Sequence, residues 1–144
     1  MDPKLLTFSG TIEASDTTRR VIAGKIVPFN EPGFTSVGKV VFERGSIAIP
    51  NERFKLLLEH DPKSPLGRAI NVQETESGIY AQFKVSETPR GNDALIEASE
   101  SLRDGLSVGV LVHKSVDRGD TLFLQSAELQ EVSLVHTPAL VSVS

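Results

Sequence analysis

The sequence contains no cysteine in its 144 residues. The chain therefore cannot form disulfides, thiolate nucleophiles or cysteine-ligated zinc sites, which suits a reducing cytoplasm. It also lacks long apolar runs: none approaches the roughly 20 residues that span a bilayer, and the opening MDPKLL has no apolar signal-peptide core. We expect a protein that is made and used inside a cell, without a membrane partner.

Excess charge of either sign is also small. Lysine and arginine number 15 against 19 aspartate and glutamate, a net charge of −4, and the pI is near 5.4. This balance gives no overall positive charge of the kind that indicates nucleic-acid binding. A chain of this length can bury a real core, so we expect a single domain over residues 1–144.

The periodicity predicts a mostly β structure. Short apolar or alternating runs are separated by turns rich in Pro, Gly and Asn; they read RVIAGKIV, GKVVF, FKLLL, IYAQFKV, LSVGVLV and TLFLQSA. The segment DRGD, Asp117 to Asp120, is typical of a hairpin turn. We predict an α+β fold: a curled sheet or small β-barrel flanked by one or two helices.

One helix is predicted from helical periodicity. It runs from about Asn92 to Asp104, with apolar residues at helical spacing and Gly105 as its C-terminal stop. Two starts compete, Thr88-Pro89 and Asn92-Asp93. A second, shorter helix is predicted after Gly45, within SIAIPNE.

Three residues in separate strand-like runs form a candidate catalytic set: Ser107, His60 and Glu131. A serine becomes a nucleophile when a nearby base takes its proton, and neutral histidine suits that role because its ordinary pKa is about 6.5. A carboxylate would orient the base. Each residue also has an ordinary interpretation: a surface serine, a hydrogen-bonded structural histidine and an exposed strand carboxylate.

The pattern Gly105-Leu106-Ser107-Val108-Gly109 also matches the G-x-S-x-G nucleophile elbow. That elbow needs a strand before the serine, a helix after it and a histidine later in the chain. Here a helix is predicted before Ser107 and a strand after it, so we reject the elbow, which would use His113 or His136. We interpret these two histidines as structural or exposed, since neither H-E-x-x-H nor any other ligand spacing indicates a metal site.

Ordered motifs across most of the chain resemble the prohead (capsid-maturation) proteases of tailed bacteriophages. The similarity begins with VIAGKIVPFNEPG and FERGSIAI. It continues through an L-x-x-H-D…P-L-G-R pattern, an L-S-V-G pattern and an E-V-S-L-V-x-x-P-A pattern; the matched residues are Leu57, His60, Asp61, Pro65, Leu66, Gly67, Arg68, Leu106, Ser107, Val108, Gly109, Glu131 to Val135, Pro138 and Ala139. Ile47 stands where the family commonly has phenylalanine.

The resemblance implies a serine endopeptidase of the fold shared with herpesvirus assembly proteases, needing no cofactor. His60 and Ser107 would be the catalytic pair and Glu131 the third member, with Asp61 and His136 as the alternatives. Arg68, Gly109 and Asp61 are candidates for oxyanion or support roles, as is the backbone from His136 to Ala139.

The resemblance also implies partners and a place of action. The substrates would be the major capsid protein with its scaffold segment, other internal proteins and the protease itself, inside the assembling prohead in the bacterial host cytoplasm. Self-association is a further expectation. Because the chain stops soon after the last motif, we expect a trimmed or self-processed form, or the catalytic domain of something longer. The rival hypothesis is a non-catalytic assembly or scaffolding module that keeps the fold and only binds capsid protein.

Overall fold

The computed structural model describes residues 4–12, 14–35 and 38–136. Strands hold 63% of the structure, which confirms the mostly β prediction. The elements in chain order are β1 Lys4–Thr11, β2 Ala14–Asp16, β3 Val21–Pro28, β4 Pro32–Thr35, β5 Gly38–Phe42, β6 Ile47–Ala48, β7 Lys55–Leu58, β8 Asp61–Glu74, β9 Gly78–Val85, α1 Pro89–Ser99, β10 Gly105–Arg118 and β11 Thr121–Val135.

Alternation of buried and exposed residues explains the clearest strands. In β9, Ile79, Ala81, Phe83 and Val85 are buried while Gln82 and Lys84 are exposed. Successive strand residues point to opposite faces, so this pattern gives one core face and one solvent face. The predicted strands RVIAGKIV, GKVVF, FKLLL and IYAQFKV correspond to β3, β5, β7 and β9.

Strand pairing curls the sheet into a partly closed structure. The hydrogen-bonded order is β10-β1-β4-β5-β11-β7-β8-β9-β3-β2, and β10 also pairs with β11. The second pairing closes β10, β1, β4, β5 and β11 into a ring of paired strands. From β11 the sheet continues through β7, β8, β9, β3 and β2. The sheet is therefore curled, as predicted, and its inner face carries the apolar core.

Strands β10 and β11, of 14 and 15 residues, form one antiparallel hairpin. They are joined by Gly119 and Asp120, as the DRGD segment predicted, and Gly119 has φ 77°. Glycine occupies this left-handed region without the steric cost that a Cβ would bring. The hairpin brings the L-S-V-G and E-V-S-L-V segments side by side.

The helix differs from its prediction in position. It begins at Pro89 with Thr88 as N-cap, whose hydroxyl accepts from the backbone N of Gly91, so the earlier of the two predicted starts is the right one. Its end at Ser99 corrects the predicted end at Asp104. Ser101, with φ 59°, takes the left-handed position, and the backbone N of Leu102 donates to the carbonyl of Glu97 at 2.8 Å. The backbone N of Ser101 donates to the carbonyl of Ala98 at 3.2 Å, and the two bonds together form a Schellman motif. Gly105, which was predicted to end the helix, is instead the first residue of β10.

The predicted short helix within SIAIPNE is also wrong. Ile47–Ala48 form β6, which pairs in parallel with Ala127 and Glu128 of β11. The backbone N of Ala127 donates to the carbonyl of Ser46, and Ile47 is buried. Pairing with an available neighbouring strand therefore overrides the local preference of a short segment that contains Pro50.

In the part of the chain described by the structure, α1 is the longest helix, and no helix there has the length and apolarity that crossing a membrane requires.

Replacing Phe83 with alanine should lower the free energy of unfolding by about 3–5 kcal/mol. Its side chain is fully buried, and its ring meets Phe54 edge to face with centroids 5.7 Å apart. Urea denaturation would measure the loss. Leu102→Ala is the control, because Leu102 is 65% exposed and should change stability by no more than about 0.5 kcal/mol. Similar losses in both variants would contradict this placement of the core.

Candidate active site

Four residues of the β10–β11 hairpin share one face at its base. Ser107 lies opposite Ser133, and Gly109 lies opposite Glu131. Directly opposite residues point to the same side of a sheet, as do residues two apart along a strand. Because β1 pairs with the other edge of β10, with Ser9 opposite Ser107, the backbone at Ser107 is held from both sides.

His60 reaches this face from a tight turn. β7 ends at Leu58, β8 begins at Asp61, and these two residues pair directly. The two residues between them, Glu59 and His60, have φ values of 50° and 60°. A two-residue loop with both φ values positive is the type I′ turn, which normally selects Asn or Gly.

The turn is strained by its own sequence. Non-glycine residues in the left-handed region cost about 1–2 kcal/mol each. Contacts with β11 offset this cost: the backbone N of His60 donates to Ser133 Oγ at 3.0 Å, and the backbone N of Glu59 donates to the carbonyl of Leu134 at 3.0 Å. The position of His60 therefore depends on tertiary contacts.

A charged clamp fixes the other side of the turn. The Glu59 carboxylate accepts a hydrogen bond from the guanidinium of Arg103, and Arg103 Nε donates to Glu97 Oε1 at 3.2 Å. The same carboxylate accepts from the backbone N of His136 at 3.0 Å. Through these bonds the end of α1 and the end of β11 both hold the segment that carries His60.

The imidazole of His60 connects Glu131 to Ser107. Its Nδ1 hydrogen-bonds Glu131 Oε1, and its Nε2 lies 2.8 Å from Ser107 Oγ. If Nδ1 carries the proton donated to the carboxylate, the Nε2 lone pair faces the serine hydroxyl. This is the geometry in which a serine proton can pass to a base as the oxygen attacks a carbonyl. Ser107 is buried, whereas the His60 side chain is 31% exposed.

Gly109 makes room for the Glu131 carboxylate. A Cβ at Gly109 would lie 3.0 Å from Glu131 Cγ and 3.3 Å from Glu131 Oε1. Contacts that short force the neighbouring side chain to move. The close contact at Gly109 is therefore with the carboxylate of the trio formed by Ser107, His60 and Glu131.

Gly109→Ala is expected to lower kcat of the peptidase activity that the resemblance implies by about 10- to 100-fold, since a displacement near 1 Å of a positioned group can cost this much. The melting temperature should change little, because alanine is no less favourable than glycine within a strand. Steady-state kinetics with a cleavable peptide and thermal denaturation would measure both effects.

The control is a double-mutant cycle with Glu131→Ala. Once the carboxylate is gone, the added methyl group should have little further effect on kcat. Fully additive losses in the two variants would mean that Gly109 has another role.

Asp61 supports its own loop. Its Oδ1 accepts from the backbone N of Lys63 at 2.9 Å, and its Oδ2 accepts from the Ser64 hydroxyl at 2.9 Å. These two bonds, the first of them foremost, lower the pKa of the Asp61 carboxyl. Its hydrogen bonds within the described residues go to this loop and not to the His60 imidazole.

Arg68 lies away from the trio. It is exposed on β8, opposite Lys55 of β7. Lys55 is three residues from Leu58, so Arg68 is about 10 Å along the strands from the turn. It makes no hydrogen bond to Ser107, His60 or Glu131 in the described structure.

The remaining histidines lie elsewhere. His113 Nε2 is 3.9 Å from Glu128 Oε1, and His136 Nδ1 is 3.5 Å from Glu59 Oε2. Among residues 4–12, 14–35 and 38–136, no group of three His, Asp or Glu side chains is arranged to hold a metal ion.

Ser107 is the third residue of a 14-residue strand, which excludes the strand-to-helix elbow.

A cleft of about 460 Å³ opens beside the trio, with Glu131 in its wall and buried apolar side chains at its floor. It is lined by Pro50, Asn51, Phe54, Lys55, Leu57, Pro62, Leu129, Gln130 and Glu131. Such a cleft has room for side chains of an extended peptide.

Part of the predicted oxyanion backbone lies outside the described residues. This part is residues 137–139, which include Pro138 and Ala139 of the last motif.

The family model of the caudovirus prohead serine proteases matches residues 9–144. The chain belongs to this family. The match confirms the resemblance carried by the three motifs, and both the histidine and the serine motifs fall within it. No curated protein sequence matches the chain.

The solved structure of another protein has the same fold as this chain. The capsid assembly protease of bacteriophage T4 superposes with a TM-score of 0.67 over 96% of this chain and 100% of that chain, at 14% sequence identity. At this identity the similarity concerns the fold alone. The curled sheet is thus one that a capsid assembly protease also adopts.

Sequence reasoning missed several residues around the trio. Ser133 was matched within a motif but given no role, although its hydroxyl holds the backbone of His60. Glu59 and Arg103 were not singled out at all. The only available signal was the position of Glu59 beside His60, because the partners of these residues lie far away in the sequence.

Proposed function

We propose that this chain is a serine endopeptidase in which Ser107 is the nucleophile, His60 the general base and acid, and Glu131 the orienting carboxylate. The observation that carries this proposal is the continuous hydrogen-bonded path from Glu131 through the imidazole to Ser107 Oγ. Membership in a serine protease family supports it.

The mechanism follows from the two bonds of the imidazole. Ser107 Oγ attacks the peptide carbonyl carbon while its proton moves to His60 Nε2, giving a tetrahedral oxyanion and an imidazolium. Glu131 stays ionised and stabilises that imidazolium through Nδ1. His60 then gives the proton to the leaving amine as the C–N bond breaks, which leaves an acyl ester on Ser107.

Water completes the cycle by the same route. It attacks the ester carbonyl as His60 Nε2 takes one of its protons, and the proton returns to Ser107 Oγ when the ester C–O bond breaks. No cofactor or metal takes part in these steps.

The supporting residues divide by position. Gly109 admits the Glu131 carboxylate, and Asp61 shapes the loop after His60. We assign Arg68 no place at the scissile carbonyl, because it lies too far along β8. The oxyanion donors would come from backbone amides, of which those around His136 to Ala139 remain the expectation from sequence.

The proposed substrates are phage capsid assembly proteins: the scaffold segment of the major capsid protein, other internal proteins and the protease itself. The family description and the similarity to a capsid assembly protease support this substrate class. The site of action would be the assembling prohead in the host cytoplasm, and self-association there is part of the proposal.

Co-expression with the major capsid protein of the same phage tests the function. Intact mass spectrometry should find specific truncation with the unaltered chain and none with Ser107→Ala. Equal capsid-protein masses in both samples, with the two proteins still associating, would overturn the proposal in favour of a non-catalytic assembly module.

A further inference from the structure

Three basic residues stand in a row across three neighbouring strands. Lys55 of β7 lies opposite Arg68 of β8, and Arg68 lies opposite Lys84 of β9. All three are exposed. Because strands are about 4.8 Å apart, this cationic row spans roughly 10 Å on one face of the sheet.

The row carries charge that its surroundings do not neutralise. None of its three side chains forms an ion pair with a carboxylate of the described residues, although four Lys or Arg side chains elsewhere do so. Lys84 Nζ donates to the backbone carbonyl of Arg19 at 2.9 Å. Like charges directly opposite one another destabilise a sheet, so the row is not explained by stability of the fold.

The row continues the cleft beside the trio. Lys55 lines the same cleft as Glu131, and Glu131 contacts His60. Between them the floor is formed by Phe54, Leu57 and Leu129, which are all buried. An extended polypeptide that leaves Ser107 along this cleft would place apolar side chains on the floor and its next residues over the row.

We propose that the cationic row Lys55, Arg68 and Lys84 binds acidic side chains of the polypeptide substrate beside the scissile segment. This inference rests on the proposed function and adds the substrate class: extended segments with clustered Asp or Glu residues. Alternate residues of an extended peptide are about 6.6 Å apart. Two such carboxylates on one side of the peptide can each meet a cation within the 10 Å row.

A polypeptide fits better than a nucleic acid. The chain has a net charge of −4, which opposes the long-range attraction of a polyanion. The row leads into an apolar cleft, and the described structure offers no exposed aromatic platform beside the row on which bases could stack. Acidic side chains at a few fixed points match three cations in register.

A binding experiment tests the row independently of catalysis. Fluorescence anisotropy would follow a short fluorescein-labelled peptide of alternating Glu and Gly with the full Ser107→Ala chain. The double variant Lys55→Glu, Arg68→Glu should weaken binding by about tenfold. Lys114→Glu, a charge reversal at an exposed β10 position outside the row, should change it less than twofold.

A cleavage experiment tests the row in the working enzyme. Digestion of a mixed peptide library, read by mass spectrometry, should find Asp and Glu enriched near the sites cut by the unaltered chain. The double variant in the row should lose that enrichment while Lys114→Glu keeps it.

The outcomes separate the two proposals. Two results overturn this inference and leave the peptidase proposal standing. One is cleavage without enrichment of Asp and Glu; the other is equal binding of the acidic peptide by the Ser107→Ala chain with and without the double substitution in the row. Absence of any cleavage overturns the peptidase, and the binding experiment still decides whether the row takes acidic peptides. Tighter binding of a single-stranded oligodeoxynucleotide, lost in the double variant, would assign the row to nucleic acid and overturn the inference.

Discussion

Ser107→Ala should lower kcat for peptide cleavage by about 10⁴-fold or more, since the remaining groups of such a site give only residual catalysis. The substitution removes a single oxygen, the one 2.8 Å from His60 Nε2. The surrounding strands keep their backbone pairing, so the fold should persist. Single-turnover cleavage of a capsid-protein substrate measures the rate, and circular dichroism during heating measures the fold.

Ser133→Ala is the matched control. Ser133 lies directly opposite Ser107, is equally buried and also contacts His60, but through the backbone N and not the imidazole. Losing that bond should loosen the turn and reduce kcat by about tenfold. A fluorophosphonate should still label Ser107 in this variant. If Ser133→Ala abolished labelling and Ser107→Ala did not, the nucleophile would be Ser133.

Glu131→Gln should lower kcat by about 10²- to 10⁴-fold, by comparison with the corresponding Asp→Asn change in a Ser-His-Asp triad. The amide is similar in size but offers His60 Nδ1 a donor as well as an acceptor. It can therefore stabilise the tautomer with the proton on Nε2, which cannot accept the Ser107 proton. Steady-state kinetics would give the rate, and nitrogen NMR of the imidazole would identify the tautomer.

Glu128→Gln provides the control for this change. Glu128 is on the same strand and lies 3.9 Å from another histidine, His113, yet both are outside the trio. Its substitution should leave kcat within about twofold. An active Glu131→Gln variant would instead point to a different third member. Asp61→Asn and His136→Ala would then be the variants to compare, because Asp61 and His136 are the alternatives from sequence.

The two strands of the hairpin contribute different groups to the proposed site. In the proposed mechanism, β10 would supply the attacking oxygen and, at Gly109, the space for the acid. β11 would supply the acid and, at Ser133, an anchor for the base. Groups held by paired strands lose little entropy when a substrate binds. Only the proposed base, His60, lies on a strained turn, and the contact of Glu59 with Arg103 stabilises that turn.

Local sequence was sufficient for much of the framework. Alternation predicted β3 and β9, the DRGD segment predicted the β10–β11 turn, and Thr88-Pro89 marked one possible helix start. These features depend on side-chain period and turn preference within a few residues, which short segments carry by themselves. The motifs also named His60, Ser107 and Glu131, but as a resemblance and without distances.

Only the tertiary structure decided where these elements meet. His60 is 47 residues from Ser107 and 71 from Glu131, and no local pattern encodes the register that sets Gly109 opposite Glu131. The left-handed turn at Glu59 and His60 runs against the preferences of both residues and exists because β11 and Arg103 hold it. Ile47–Ala48, within SIAIPNE, form a strand for the same reason: a hydrogen-bonding partner distant in sequence outweighed a weak local preference.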